Sequence, residues 1–120
     1  MTESAARKIA EDHYDRGIDA LADGDFSVAA RCFREAIALD RTFLDARHGL
    51  IRALQDAGEF DEAISAAQQL AAEDPDDVLA HTRLSILYQH KGMIPEAEAE
   101  SARAKILGWK LELSQSKPKT

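Results

Sequence analysis

The chain holds a single cysteine, Cys32, so no internal disulfide can form, and the thiol is expected to be a small buried core residue. No apolar stretch approaches the ~18 residues of a membrane-spanning helix. The opening residues, MTESAARKIAEDHY, lack the apolar core of a secretory signal, so a cytoplasmic location without membrane insertion is expected. Basic residues are in the minority, 15 against 22 acidic ones, and the net charge of -7 argues against nucleic acid or an anionic membrane as the main partner. The vocabulary of catalysis is missing as well. His13, His48, His81 and His90 form no His-x-x-x-His pair, and neither a glycine-rich phosphate loop nor a Gly-x-Ser-x-Gly elbow occurs. Asp76 and Asp77 read as a helix start and not as an acid and base. The chain is therefore expected to be no enzyme, and to need no cofactor and no metal.

What the sequence does contain is a period. Gly24, Gly58 and Gly92 stand 34 residues apart, and Ala29, Ala63 and Ala97 repeat the interval five residues further on. Other columns recur in the same register: Phe26, Phe60 and Ile94; Ala36, Leu70 and Ala104; Ala20, Leu54 and Tyr88. A fixed recurrence of this length in an alanine-rich, charge-rich chain is the mark of stacked helix-turn-helix units whose concave face binds another polypeptide. The small column lets two antiparallel helices approach closely, and the glycine suits the turn between them, where a positive φ is cheap.

The columns resemble the tetratricopeptide repeat, which combines a large residue, Leu-Gly, an aromatic, a turn glycine, Ala-x-x-x-Phe and a closing proline. The matching residues are Ala29, Phe33 and Gly17 in the first repeat, Leu50 and Leu54 in the second, and Leu84, Ser85 and Tyr88 in the third, with Asp74-Pro75 supplying the closing proline once. Arg41 and Trp109 stand in place of that proline elsewhere, and Ala67 and Ser101 in place of the phenylalanine. The resemblance implies an all-α, right-handed solenoid of three helix-turn-helix repeats, at about 10–43, 44–77 and 78–111, in one domain over 1–113. Helices are expected over Ser4–Ala22, Phe26–Leu39, Phe43–Ala57, Phe60–Glu73, Asp77–Lys91 and Ile94–Leu107, with Pro95 in the first turn of the last. Trp109, Leu111 and Leu113 are expected to fold back as a short cap over the last helix or to continue it. Residues 114–120 read as a polar, disordered tail.

Function in such a scaffold is carried by the first helix of each repeat, whose positions two, five, six, nine, twelve and thirteen face the groove in the family. The partner-binding candidates implied in this chain are His48, Arg52 and Gln55 in the second repeat, and Leu79, Arg83, Ile86, Gln89 and His90 in the third. Arg52 and Arg83 are expected to be neighbours, and two guanidinium forks suit an acidic ligand. The alternative is that they pair with Asp45 or Asp56 as a solvated surface. The family's five-residue clamp for a C-terminal carboxylate is not implied: Tyr14, Ile18, Gly49, Leu79 and Arg83 occupy its positions, and only Arg83 matches. In the first repeat Tyr14, Gly17, Ile18 and Leu21 form a stripe displaced by one residue, which turns all four toward the core if the turn before Gly24 is one residue shorter; otherwise Tyr14 and Ile18 form an apolar end to the groove.

The functional expectation is a non-catalytic interaction module that holds a protein or peptide segment in its groove. Two alternatives accompany it. One is a structural subunit that self-associates through its repeat ends, where charge differs: nine acids to two bases over 44–77, but four to seven over 78–120. The other is a secretion-type chaperone.

Overall fold

The computed structural model describes residues 1–116 and contains six helices: α1 (Glu3–Ala22), α2 (Phe26–Leu39), α3 (Leu44–Asp56), α4 (Phe60–Glu73), α5 (Val78–His90) and α6 (Ile94–Gln115). No strand occurs among the described residues. The helices form two compact units, Met1–Ala66 and a second beginning at Ala67, with the boundary inside α4.

Each pair of helices is joined by the same turn. Gly24, Gly58 and Gly92 have φ of 80°, 79° and 73°. In the first turn the amide of Asp25 donates to the carbonyl of Ala20 at 2.9 Å and that of Gly24 to Leu21 at 3.2 Å. Glu59 to Leu54 and Met93 to Tyr88 repeat the longer bond at 2.9 and 2.8 Å. This is the Schellman closure, and it needs a left-handed residue just past the helix. A Cβ at Gly58 would meet no atom within 4 Å, so only the backbone conformation opposes a side chain there. Gly58→Ala is therefore expected to cost ~1–2 kcal/mol, read as a lower urea midpoint at unchanged slope. Unaltered stability would show that the turn relaxes to negative φ.

Helix starts are equally legible. Thr2 Oγ1 accepts the amide of Ala5 at 3.0 Å, and Asp77 Oδ1 accepts that of Ala80 at 3.1 Å, capping α1 and α5. Pro95 sits in the first turn of α6, where a missing N–H costs nothing.

In the first unit the core is built around Phe33, which has no exposed surface, with Ala29, Ala36, Phe43 and Ala46. The Tyr14 ring lies 5.7 Å from that of Phe33 and 5.1 Å from that of Phe43, centroid to centroid. The Arg7 guanidinium covers the Phe43 ring at 3.8 Å and reaches Asp40 at 3.0 Å, tying α1 to the turn after α2. Gly17 and Gly49 press on Phe33 from two helices: a Cβ on either would stand 2.6 or 2.8 Å from the ring. Of the displaced stripe in the first repeat, Gly17 is buried and Tyr14 and Leu21 are half-buried, but Ile18 is 40% exposed, so it does not share their inward direction. Cys32 is buried, with its thiol free.

The second unit packs Ala67, Leu70, Ala80, Leu84, Leu87, Tyr88 and Ala97, all buried. Gln68 Nε2 donates to the Tyr88 hydroxyl at 2.8 Å, and Ser85 Oγ to the carbonyl of Ala97 at 2.9 Å. The last helix runs past its expected end at Leu107 to Gln115, so of the two expected arrangements Trp109, Leu111 and Leu113 take the continued helix and not the folded-back cap, and all three are exposed. Gly108 does not stop it, because leucine, lysine and glutamate around it are strong helix formers. Ile94 is likewise 49% exposed, whereas Phe26 and Phe60 of the same column are half-buried. Ser114 and Gln115 are helical; Lys117 to Thr120 of the expected tail lie outside the described residues.

Candidate functional site

The first helix of each pair buries one side and leaves the other open, and the open sides carry the candidate residues. On α5 the buried side chains are Ala80, His81, Leu84, Ser85, Leu87 and Tyr88. The opposite face carries Leu79, Thr82, Arg83, Ile86, Gln89 and His90, which recur at three and four residue steps and so share one side of the helix. Leu79 is 44% and Ile86 37% exposed, an apolar pair two turns apart. Arg83 lies half-buried between them, and Gln89 and His90 are exposed at the C-terminal end.

On α3 the open face carries His48, Arg52 and Gln55. His48 and Gln55 are half-buried and Arg52 is exposed. Arg52 Nε donates to Asp56 Oδ2 at 2.9 Å, one turn along the same helix. The guanidinium thus keeps only part of its hydrogen-bonding capacity for a ligand, as expected of an exposed ion pair that competes with water. Gln55 Oε1 is enclosed and accepts no hydrogen bond among the described residues.

Two clefts, of about 400 and 280 Å³, lie between the α5 face and α6. The first is lined by Thr82, Ile86, Ser101 and Ala104 among others, the second by Gln89, Glu98 and Ala102, and both by Ser101 and Lys105. Ser101 and Lys105 had no place among the sequence candidates, which were confined to first helices. One signal was available: Ser101 occupies the column filled by Phe33 in the first repeat, and a small residue there leaves space.

A third cleft of about 550 Å³ lies on the other side of α6, between α5, α6 and the end of α4. Its floor contains a buried polar cluster. His81 Nδ1 meets Glu100 Oε2 at 2.6 Å, and its Nε2 meets the carbonyl of Pro75 at 2.8 Å. Glu100 also receives Arg103. With an acceptor on each ring nitrogen, the imidazolium is the form that satisfies both. Burial alone would lower the His81 pKa, but the hydrogen bond to Glu100, then that to Pro75, and the Glu100 charge raise it on balance above its ordinary value. All partners of this cluster are internal, so it holds α5 to α6 and the Pro75 turn.

Among the described residues no group of three His, Cys, Asp or Glu side chains is arranged to hold a metal ion, and no helix is long and apolar enough to cross a membrane.

A model of the tetratricopeptide repeat matches residues 20–81 and again 54–105. No curated protein sequence matches the chain. Among solved structures, MamA superposes with a TM-score of 0.80 at 26% identity, covering 86% of this chain and 60% of that one. The second TPR of Spaghetti (RPAP3), bound to an HSP90 peptide, superposes at 0.78 with 20% identity over 88% of this chain and 96% of that one. The type III secretion translocator chaperone SycD of Yersinia enterocolitica superposes at 0.78 with 23% identity over 82% and 73%. The chain spans about 60% of the length of the MamA chain it matches.

Proposed function

We propose that this chain, which belongs to the tetratricopeptide repeat family and is a protein–protein interaction module, holds an extended or helical segment of a partner on the open face of α5. The observation that carries this reading is the α5 face, where Leu79 and Ile86 are exposed beside Arg83, Gln89 and His90. Apolar anchors flanked by donors are what a segment needs for affinity and for register. The ligand segment offers apolar side chains to Leu79 and Ile86 and acidic or carbonyl groups to Arg83 and Gln89. In the first unit, the open face of α3 offers His48, Arg52 and Gln55 as polar contacts of its own, Arg52 through the donors that Asp56 leaves free. A C-terminal carboxylate gripped by a five-residue clamp is not the ligand, since four of the five clamp positions carry other residues.

In this reading the chain acts without catalysis or cofactor, in the cytoplasm, on protein and not on nucleic acid. The test is affinity capture from the native extract with the wild-type chain and with Leu79→Asp/Ile86→Asp, whose sites are exposed enough to spare the fold. The expected result is at least tenfold loss of a prominent retained protein, with an unchanged helical circular-dichroism spectrum. Equal retention by the folded variant would sink the reading.

A further inference from the structure

α6 is apolar on two opposite sides. Its inner side, Ala97, Ala104 and Leu107, is buried or half-buried. Its outer side carries Ala99, Ala102, Ile106, Trp109 and Leu113, spaced three, four, three and four residues apart, and all five are exposed, Ala102 and Ile106 at the rims of the flanking clefts. Ile106 is 48%, Trp109 62% and Leu113 70% exposed. This spacing is the seam of a coiled coil and keeps the five side chains in one stripe ~21 Å long. An isolated exposed leucine needs no explanation, but a continuous seam ending in an exposed tryptophan does.

We infer that this stripe is a homodimer surface, on which α6 of a second copy lies antiparallel. Size and charge both select that occupant and that direction. Side chains grow along the stripe, from alanine at 99 and 102 to tryptophan at 109 and leucine at 113. A parallel copy would set Ala99 on Ala99 and Leu113 on Leu113, a wedge that no single interaxial distance fits. An antiparallel copy sets Leu113 on Ala102 and Trp109 on Ile106, so each of these layers joins a large residue to a smaller one, while Ala99 meets Ser116 at the ends of the stripe. The same arrangement brings Lys105 of each copy beside Glu112 of the other. On the opposite flank Arg103 is already neutralised by Glu100, which leaves Lys110 as the cation there that the seam must tolerate. Parallel pairing would instead place Lys105 against Lys110. A single helix pair buries less than the ~1,600 Å² of a standard interface, so the dimer is a reversible one, half-formed in the micromolar range.

Sedimentation equilibrium from about 1 to 500 µM tests this. The expected mass rises from 13.2 kDa toward twice that value for the wild type and stays at 13.2 kDa for Ile106→Glu/Trp109→Glu. Lys105→Glu weakens the dimer several-fold, and adding Glu112→Lys to it restores the wild-type constant. A wild type that remains monomeric throughout overturns the inference and leaves the stripe to a different protein. A dimer that survives Ile106→Glu/Trp109→Glu overturns it by moving the interface elsewhere. Failure of the charge swap to restore association overturns the antiparallel pairing.

Discussion

Replacing Phe33 with alanine is expected to lower the unfolding free energy by ~3–5 kcal/mol, the usual range for a fully buried aromatic. Phe33 has no exposed surface, and the ring of Tyr14 and the flanks of Gly17 and Gly49 close around it. A domain of this size has only ~5–15 kcal/mol in hand, so the change removes a large part of the stability. The glycines provide the sharper test. A Cβ at Gly17 would stand 2.6 Å from Phe33 Cε1, closer than carbon atoms approach, and the ring cannot swing away because it is enclosed. Gly17→Ala is therefore expected to cost ~1–3 kcal/mol as an overpacking change, despite alanine's better helix propensity. In a Phe33→Leu background most of that cost should vanish, since the ring edge that the methyl meets is gone. Urea denaturation of the four members of the cycle measures the coupling. Additive effects would mean that the two residues do not share the contact.

The second large effect lies in the buried cluster of the second unit. Glu100→Ala and His81→Ala are each expected to destabilise by ~3–5 kcal/mol at pH 6, because removing one partner of a buried pair strands the other. The wild type should also lose stability with pH in a defined direction. The native His81 pKa lies above its ordinary value, so the protonated pair contributes fully below the ~6.5 of an unfolded histidine. That contribution fades as the pH rises through the raised native pKa. The variants, lacking the pair, should approach the wild type above that pH. Thermal or urea unfolding from pH 5.5 to 9 reads this directly. A wild-type advantage that does not change with pH would mean that His81 is neutral throughout.

These two sites mark where sequence reasoning was strong and where it was short. α2 and α4 begin and end at the expected residues, α1 begins one residue early and ends as expected, and α3 and α5 are one residue shorter at each end; the left-handed glycines after α1, α3 and α5 fix those turns locally. Register against neighbouring helices is not local. Gly17 and Gly49 occupy different positions in their repeats, yet both meet the Phe33 ring, a pairing that a column alignment cannot display. The same limit hid the split in the first repeat, where Tyr14 turns to the aromatic core and Ile18 to the outside. His81 stands in the sequence without a histidine partner, and its partner Glu100 sits in a different helix 19 residues on, with no motif to link them.

The candidate site was legible as a face and not as a chemistry. The groove positions implied by the family resemblance name Leu79, Arg83, Ile86 and Gln89, and these four share one side of α5. That Arg52 spends one donor on Asp56, and that Ser101 and Lys105 of α6 open a cleft beside Ile86, follows from packing across helices. The end of α6 was legible least. The repeat period stops near Leu107, and only the helix's actual length shows the outer seam as continuous.

The central claim, that a partner segment lies along the α5 face, is tested most directly by photocrosslinking. A benzophenone amino acid would be placed at Ile86, with Arg31 on the exposed side of α2 as the control position, and each chain irradiated with the captured partner. Crosslinking from position 86 but not from 31, mapped to one short stretch of the partner, is the predicted result. Efficient crosslinking from 31 with none from 86 would contradict the account.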